Sequence, residues 1–171
     1  MTFDEAFERL IGHEGAFSDD PRDPGSWTGG RVNVGQLKGT KFGIAANTYG
    51  DLDIRSLTLA QAKVIYYRDW WLKAGADEFH PAIVFQMWDF AVNAGMGTAK
   101  RALQYAAGVA VDGQVGPLTI TAVKAAALND ILLRFNAYRL RHYTSLSTWN
   151  THGKGWTNRT AGHLDYAAKD N

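Results

Sequence analysis

The 171-residue chain has no cysteine. Disulfides, thiolate zinc sites and a cysteine nucleophile are therefore excluded, and the composition is compatible with synthesis in a reducing cytoplasm. No stretch approaches the ~18 consecutive apolar residues of a membrane span, so no stable membrane insertion is expected. The segment Met1-Thr2-Phe3-Asp4-Glu5 is acidic and amphipathic. A secretory signal has a basic start and a continuous apolar run, so none is expected. The five histidines, at 13, 80, 142, 152 and 163, form no HExxH pair. Zinc catalysis needs three protein ligands at usable spacing, so neither a metal nor a cofactor is expected. Gly29-Gly30 and Gly35 lack the strand-to-helix setting of a phosphate-binding loop.

Net charge is also scarce, at +1, but unevenly spread. Residues 1–85 hold 9 Lys/Arg against 12 Asp/Glu, and residues 86–171 hold 9 against 5. A basic half suits an anionic polymer such as peptidoglycan or nucleic acid. Uneven solvated faces explain it equally well. A nucleic-acid partner would rest on this feature alone, and none is expected.

What is present is an ordinary globular composition, 46% hydrophobic and 20% charged. A chain this long buries roughly two-thirds of its unfolded surface and needs no covalent staple. Phe3, Ala6, Phe7, Leu10 and Ile11 recur at helical spacing, with Thr2 and Glu5 as a capping box. Gly15 is expected to end this helix in a left-handed conformation. Residues 18–57 carry Pro21, Pro24 and many glycines, interleaved with Trp27, Val32, Val34, Leu37, Phe42 and Ile44. That mixture reads as an ordered lobe of loops and hairpins.

Helices are expected from residue 58 onward. Thr58 and Gln61 form a second capping box, leading a helix to about Trp71. Pro81 opens and Gly95 closes a helix that is apolar nearly all round, which belongs at the centre of a domain. Further helices are expected at about 98–107, 118–127, 130–147 and 157–168, with turns at Gly108, Asp112-Gly113, Gly116-Pro117 and Gly153. No repeat or low-complexity linker interrupts the chain. The expected architecture is mainly α (α+β): an amino-terminal helix, a small loop and hairpin lobe, and a helical bundle, with a cleft between them. It is read as a single domain, 1–171, with a catalytic part at 1–90 and a helical part at 91–171 packed against it.

Glu14 follows an amphipathic helix. A glutamate there is usually just solvated, but the partial negative charge of the helix end and apolar neighbours such as Phe17 both raise its pKa. That is what a general acid at neutral pH requires. A second acid is available in Asp19-Asp20-Pro21-Arg22-Asp23-Pro24-Gly25, although aspartate before proline or glycine is common turn chemistry. Glycoside hydrolysis uses two carboxyl groups flanking the scissile bond.

Taken together, His13-Glu14-Gly15-Ala16-Phe17, Asp20-Pro21-Arg22-Asp23-Pro24-Gly25 and Thr40-Lys41-Phe42-Gly43-Ile44 resemble glycoside hydrolase family 108. These are N-acetylmuramidases, many of them phage endolysins, similar in fold to lysozyme, with the pattern Glu-Gly-Gly-Tyr, an Asp-Pro-rich loop and Thr-x-aromatic-Gly-Ile. The order glutamate, aspartate, threonine also resembles the T-even phage lysozymes, where the aspartate lies nine residues after the glutamate, as Asp23 does here. The resemblance implies Glu14 as general acid, Asp23 holding or activating the attacking water, and Thr40 orienting it. Asp20 is the alternative second acid. This chain departs from the pattern at Ala16 and Phe17, and Ser26 to Gly39 reads as an insertion.

Asn93-Ala94-Gly95-Met96-Gly97, Leu103-Gln104, Gly108-Val109, Asp112-Gly113, Gly116-Pro117 and Thr119 are similar to the predicted peptidoglycan-binding region that follows in that family. Gly155-Trp156-Thr157-Asn158-Arg159 is similar to its closing Gly-Trp-x-x-Arg. Phe42 and Trp88 are candidates for stacking on sugar rings, and Asn93 for binding an N-acetyl group. The implied activity is hydrolysis of the β-1,4 bond between N-acetylmuramic acid and N-acetylglucosamine. A lytic transglycosylase on the same fold and a non-catalytic wall-binding or phage structural domain are the alternatives. Peptidoglycan is the expected partner, a monomer the expected state, and the host cytoplasm before lysis the expected location.

Overall fold

The computed structural model describes residues 1–11 and 15–171. The fold is mainly helical, as expected: α1 (Phe3–Ile11), α2 (Leu59–Tyr66), α3 (Pro81–Ala94), α4 (Met96–Ala107), α5 (Pro117–Ala125), α6 (Leu128–Thr144) and α7 (Trp149–Asp170). The only regular sheet among the described residues pairs β1 (Thr40–Lys41) with β2 (Ile44–Ala45), and a π-helical turn, Tyr67–Trp71, follows α2. The residues form two compact units, Phe3–Arg68 and Met1–Thr2 with Asp69–Asn171.

In the first unit, α1 buries Ala6 and Phe7, and Phe7 meets Tyr66 of α2 edge-on at 5.7 Å. The capping box at Thr58 and Gln61 is formed and starts α2. Ile44, Ala46, Ile54 and Leu57 complete this small core. The antiparallel register pairs Thr40 with Ala45 and Lys41 with Ile44, leaving Phe42-Gly43 as a two-residue turn. Both turn residues have positive φ, 52° and 75°, which twists the hairpin in the sense its strands require. Glycine adopts this freely, whereas a bulky aromatic does not.

In the second unit α3 is the axle. Every residue from Ala82 to Ala91 is buried, and α4, α6 and α7 pack around it. Each fully buried large apolar side chain here, such as Phe85 and Phe90, contributes about 1.5–3 kcal/mol. Pro81 opens α3, with His80 accepting from the Ala82 N–H, and Gly95 ends it at φ 84°. Gly108 caps α4 in the left-handed conformation.

One expected turn is not a turn. Gly153 lies inside α7, which begins at Trp149 rather than near residue 157. A Cβ on Gly153 would fall 2.7 Å from the Trp149 indole, so the glycine lets the ring lie on the helix backbone.

Within this apolar packing sits a buried ion cluster. The Asp89 carboxylate on α3 accepts from Arg139 on α6 and from Arg159 and His163 on α7, the last at 2.9 Å. Arg159 Nε also lies 3.1 and 3.2 Å from the two carboxylate oxygens. Burial pushes the Asp89 carboxyl up, but the hydrogen bond from His163 and the positive charges around it outweigh this and hold it well below the usual range. Burial pushes the His163 imidazole down, more than Asp89 raises it. His163 is then neutral at pH 7 and donates its Nε2 proton, while the two guanidiniums supply the charge.

Candidate active site

Glu14, the expected general acid, lies outside the described residues. The left-handed conformation expected at Gly15 turns on the Glu14–Gly15 peptide and so also lies outside the described residues. Packing gives this glycine a role of its own. A Cβ on Gly15 would lie 2.2 Å from Phe42 Cδ1 and 2.3 Å from Cε1, so the Phe42 ring rests directly on the Gly15 backbone. The backbone that carries the ring is fixed on both sides. Tyr66 donates its hydroxyl to the Phe42 carbonyl at 3.1 Å, and the tight turn sets the Phe42 backbone. Strained φ values of this kind gather at functional sites, where the surrounding structure imposes them.

Thr40 begins the same hairpin. Its backbone exchanges hydrogen bonds with Ser18, at 2.9 and 2.7 Å. Its Oγ1 is buried and has no hydrogen-bond partner among the described residues. A buried hydroxyl without a partner costs free energy, so its position calls for a further group to bind.

The aspartates divide by what already holds them. Asp20 accepts from Arg22 three times, from the backbone N–H and Nε at 2.9 Å and from Nη2 at 2.8 Å. Those hydrogen bonds lower its pKa to about 2. Asp19 is paired with Arg55 at 2.8 Å, whose guanidinium lies 4.2 Å from the Phe17 ring centre. Asp23 caps the short 3-10 turn Pro24–Ser26, its Oδ1 accepting from Gly25 N–H at 2.9 Å. Its Oδ2 has only a 3.5 Å contact with Ser26 Oγ.

The insertion between Ser26 and Gly39 does not separate Asp23 from Thr40. It closes on itself through the Trp27–Leu37 bridge and the Thr28–Gln36 and Gly29–Val34 hydrogen bonds. Its two ends meet where Lys38 and Gly39 both donate to the Ser26 carbonyl, at 2.9 and 3.0 Å. The Asp23 turn is thus anchored one residue before Thr40, whatever the loop beyond does.

The two remaining candidates belong to the helical unit. Trp88 is 0% exposed, with its ring edge-on to Trp71 at 5.6 Å, which leaves no face open to a sugar. Asn93 is exposed, and its Nδ2 donates back to the Asp89 carbonyl at 2.9 Å, leaving Oδ1 as the acceptor it presents.

Residues 7–95 match the model of the family described as glycosyl hydrolase 108. The chain belongs to that family. It is therefore a glycoside hydrolase. The whole chain is also similar to a solved structure, "Structure of Brucella abortus SagA", at 29% identity and a TM-score of 0.78, covering 98% of this chain and 94% of that one. No curated protein matched it.

In this family-108 chain the quoted motifs acquire physical roles. Thr40-Lys41-Phe42-Gly43-Ile44 is the hairpin, and Gly15 is the floor on which its aromatic sits. Gln104 is buried and spends its whole amide on the following loop, donating to Asp112 Oδ1 at 2.7 Å and the Gln114 carbonyl at 3.0 Å and accepting from Gly113 N–H at 2.7 Å. In the closing motif, Trp156 stacks on Tyr143 at 5.0 Å while Arg159 reaches Asp89. The Asp89 cluster escaped sequence reasoning. Its only trace was an acid in an otherwise apolar helix, with partners 50 and 70 residues away.

Proposed function

We propose that this glycoside hydrolase is an N-acetylmuramidase, hydrolysing the β-1,4 bond between N-acetylmuramic acid and N-acetylglucosamine in bacterial peptidoglycan. The observation that carries the reading is the Thr40 hydroxyl, buried and unpartnered among the described residues, on a hairpin tied by backbone hydrogen bonds to the turn that bears Asp23. A threonine hydroxyl both donates and accepts, so it positions a water without ionising. Asp23 Oδ2, only loosely engaged, serves as the acceptor that draws a proton from that water as it attacks the anomeric carbon. Glu14 protonates the leaving glycosidic oxygen. Attack by a held water inverts the anomeric configuration, and this arrangement requires carboxyl groups roughly 6.5–9.5 Å apart. Asp20 is set aside as the base because Arg22 already occupies both its oxygens.

Phe42 supplies an aromatic surface beside Gly15, and Asn93 Oδ1 an acceptor for an N-acetyl N–H. We further propose that the chain acts as an endolysin, held in the host cytoplasm before lysis and then degrading the wall as a monomer. The resemblance of its motifs to a family that includes many phage endolysins supports that role.

The test is digestion of purified peptidoglycan by the wild type and Glu14→Gln, with products read by mass spectrometry before and after borohydride reduction. Reducible muramic-acid ends from the wild type, lost in a folded Glu14→Gln protein, are expected. Anhydro-muramic ends would replace this reading with a lytic transglycosylase, and an intact wall with a binding domain.

A further inference from the structure

The hairpin that carries Thr40 is too small to fix its own shape. Its strands are two residues each, and an isolated two-stranded hairpin is marginal in water. One edge of Thr40 is held by the backbone hydrogen bonds to Ser18, and the other depends on the Phe42-Gly43 turn. With both φ values positive, that turn has the type I′ pattern, which favours asparagine or glycine at its first position. Rotating its central peptide gives a type II′ turn, which joins strands across the same two residues but favours glycine first. Phenylalanine suits neither, so local preference does not choose between them. The group whose direction separates the two turns is the Phe42 carbonyl.

Tyr66 acts on that group. Its hydroxyl donates to the Phe42 carbonyl at 3.1 Å. A Cβ on Gly43 would fall 2.4 Å from Tyr66 Oη, so the hydroxyl lies directly against the turn. Tyr66 is itself a fixed post. It is 2% exposed, it ends α2, and its ring meets Phe7 edge-on at 5.7 Å. One turn earlier Lys63 ties α2 to α1, through Asp4 at 2.9 Å and Glu8 at 3.6 Å. Burial, with Tyr49 adding to it, pushes the Tyr66 hydroxyl pKa up, so the donated proton stays in place at neutral pH.

The rotation that interconverts the turns changes Phe42 ψ and Gly43 φ by unequal amounts, so it re-aims β2 against β1. Thr40 pairs with Ala45 of β2 and moves with it. The Phe42 ring, attached before the rotating peptide, stays near Gly15. We propose that Tyr66 is a positioning residue for glycoside hydrolysis, its hydroxyl holding the Phe42-Gly43 turn in the type I′ form that places Thr40 Oγ1. This accounts for an aromatic where asparagine is favoured: the site keeps its ring at position 42, and Tyr66 supplies the bias the ring cannot. The inference rests on the reading of Thr40 as the group that holds water.

The test measures kcat and KM for reducing-end release from peptidoglycan by Tyr66→Phe, in the wild-type and Phe42→Asn backgrounds, together with a crystal structure of Tyr66→Phe. That substitution removes one hydroxyl and keeps the ring. In the wild-type background kcat should fall about tenfold or more while KM moves less than about threefold, since a displacement near 1 Å costs up to about 10²-fold in rate. The crystal structure should show the Phe42-Gly43 peptide rotated, with Thr40 Oγ1 displaced. Asparagine before glycine favours the type I′ turn unaided, so in the Phe42→Asn background Tyr66→Phe should lower kcat by less than about threefold.

A folded Tyr66→Phe protein with kcat within twofold of the wild type would overturn the proposal. So would an equal loss in both backgrounds, a change in KM alone, or a lowered kcat with the turn unchanged. Should Tyr66→Phe alone not fold, recovery of fold and activity in the Phe42→Asn background upholds the proposal, and an unfolded double variant overturns it. Peptidoglycan left intact by the wild type would remove the muramidase reading. The hold of Tyr66 on the turn is then upheld by a rotated peptide in Tyr66→Phe and overturned by an unchanged one.

Discussion

Replacing Gly15 by alanine tests the hairpin geometry most directly. Where a glycine's backbone tolerates a side chain, alanine stabilises by about 0.4–1 kcal/mol through the reduced freedom of the unfolded chain. The collision with Phe42 reverses the sign. The new Cβ would start 2.2 Å from Phe42 Cδ1, where ordinary contact begins near 3.4 Å, so the ring has to retreat by about 1.2 Å. The Phe42 backbone cannot follow, because a two-residue turn sets it and its carbonyl accepts from Tyr66, so the ring has to rotate away. Overpacking of this kind costs about 1–3 kcal/mol. At this chain length each kcal/mol lowers Tm by roughly 2–4 °C.

The effect on activity should be larger than the effect on stability. Gly15 is bonded to Glu14, and Phe42 is two residues from Thr40. A displacement near 1 Å in a catalytic arrangement costs on the order of 10²-fold in rate. Thermal denaturation and reducing-end release on peptidoglycan should be measured for Gly15→Ala, Phe42→Ala and the double variant. The double variant should melt close to Phe42→Ala alone, giving a coupling of about 1–3 kcal/mol. A Gly15→Ala protein that melts higher than the wild type and keeps its activity would refute the packing argument.

Other outcomes follow from how the charges are held. Asp23→Asn should lower peptidoglycan hydrolysis by about 10²-fold or more, within the span of general base effects. Asp20→Asn, which disturbs only a surface pair, should leave the rate within about threefold in the same assay. Asp89→Ala should cost about 3–5 kcal/mol in urea unfolding, because it strands a fully buried Arg139. Arg159→Gln should cost much less, since that side chain is 37% exposed and partly screened by solvent. Stability should also fall in acid, in two stages. The folded pKa of His163 is depressed, so below about pH 6.5 the unfolded chain takes up a proton that the folded chain refuses. The folded pKa of Asp89 is depressed too, so its contribution is present above about pH 3.9 and is lost as pH falls further. Urea midpoints measured across pH 3–8 should show both stages, and His163→Phe should shrink the upper one to the part contributed by His142, whose pKa burial also lowers.

Much of the helical layout was legible because its signals are local. The Thr58–Gln61 box, Pro81 and Gly95 around α3, and Gly108 after α4 each act within a few residues of the feature they mark. The features that escaped depend on partners distant in sequence. Gly153 looked like a breaker, yet the Trp149 ring it accommodates keeps it inside α7. Gly15 meets a ring 27 residues later, a contact that no local signal marks. Phe42 carries no mark of a positive-φ turn residue, since that conformation is imposed by pairing and by Tyr66. Trp88 was attractive as an aromatic but is engulfed by the helix bundle. At the site, the family resemblance brought out Asp23 and Thr40. Only the structure showed that the intervening loop closes at Ser26, and that Arg22 claims Asp20.

The Asp89 cluster also bears on the timing of synthesis. A chain emerges from the ribosome amino terminus first, and Asp89 appears long before its partners. Arg139 follows 50 residues later and Arg159 70 residues later. Until both have emerged, α3 cannot be packed without burying an uncompensated carboxylate. The helical unit therefore has no stable half-finished form, and it closes around α3 only once α7 has been made. A chain that stops short of α7 is in this way kept from holding a finished helical unit.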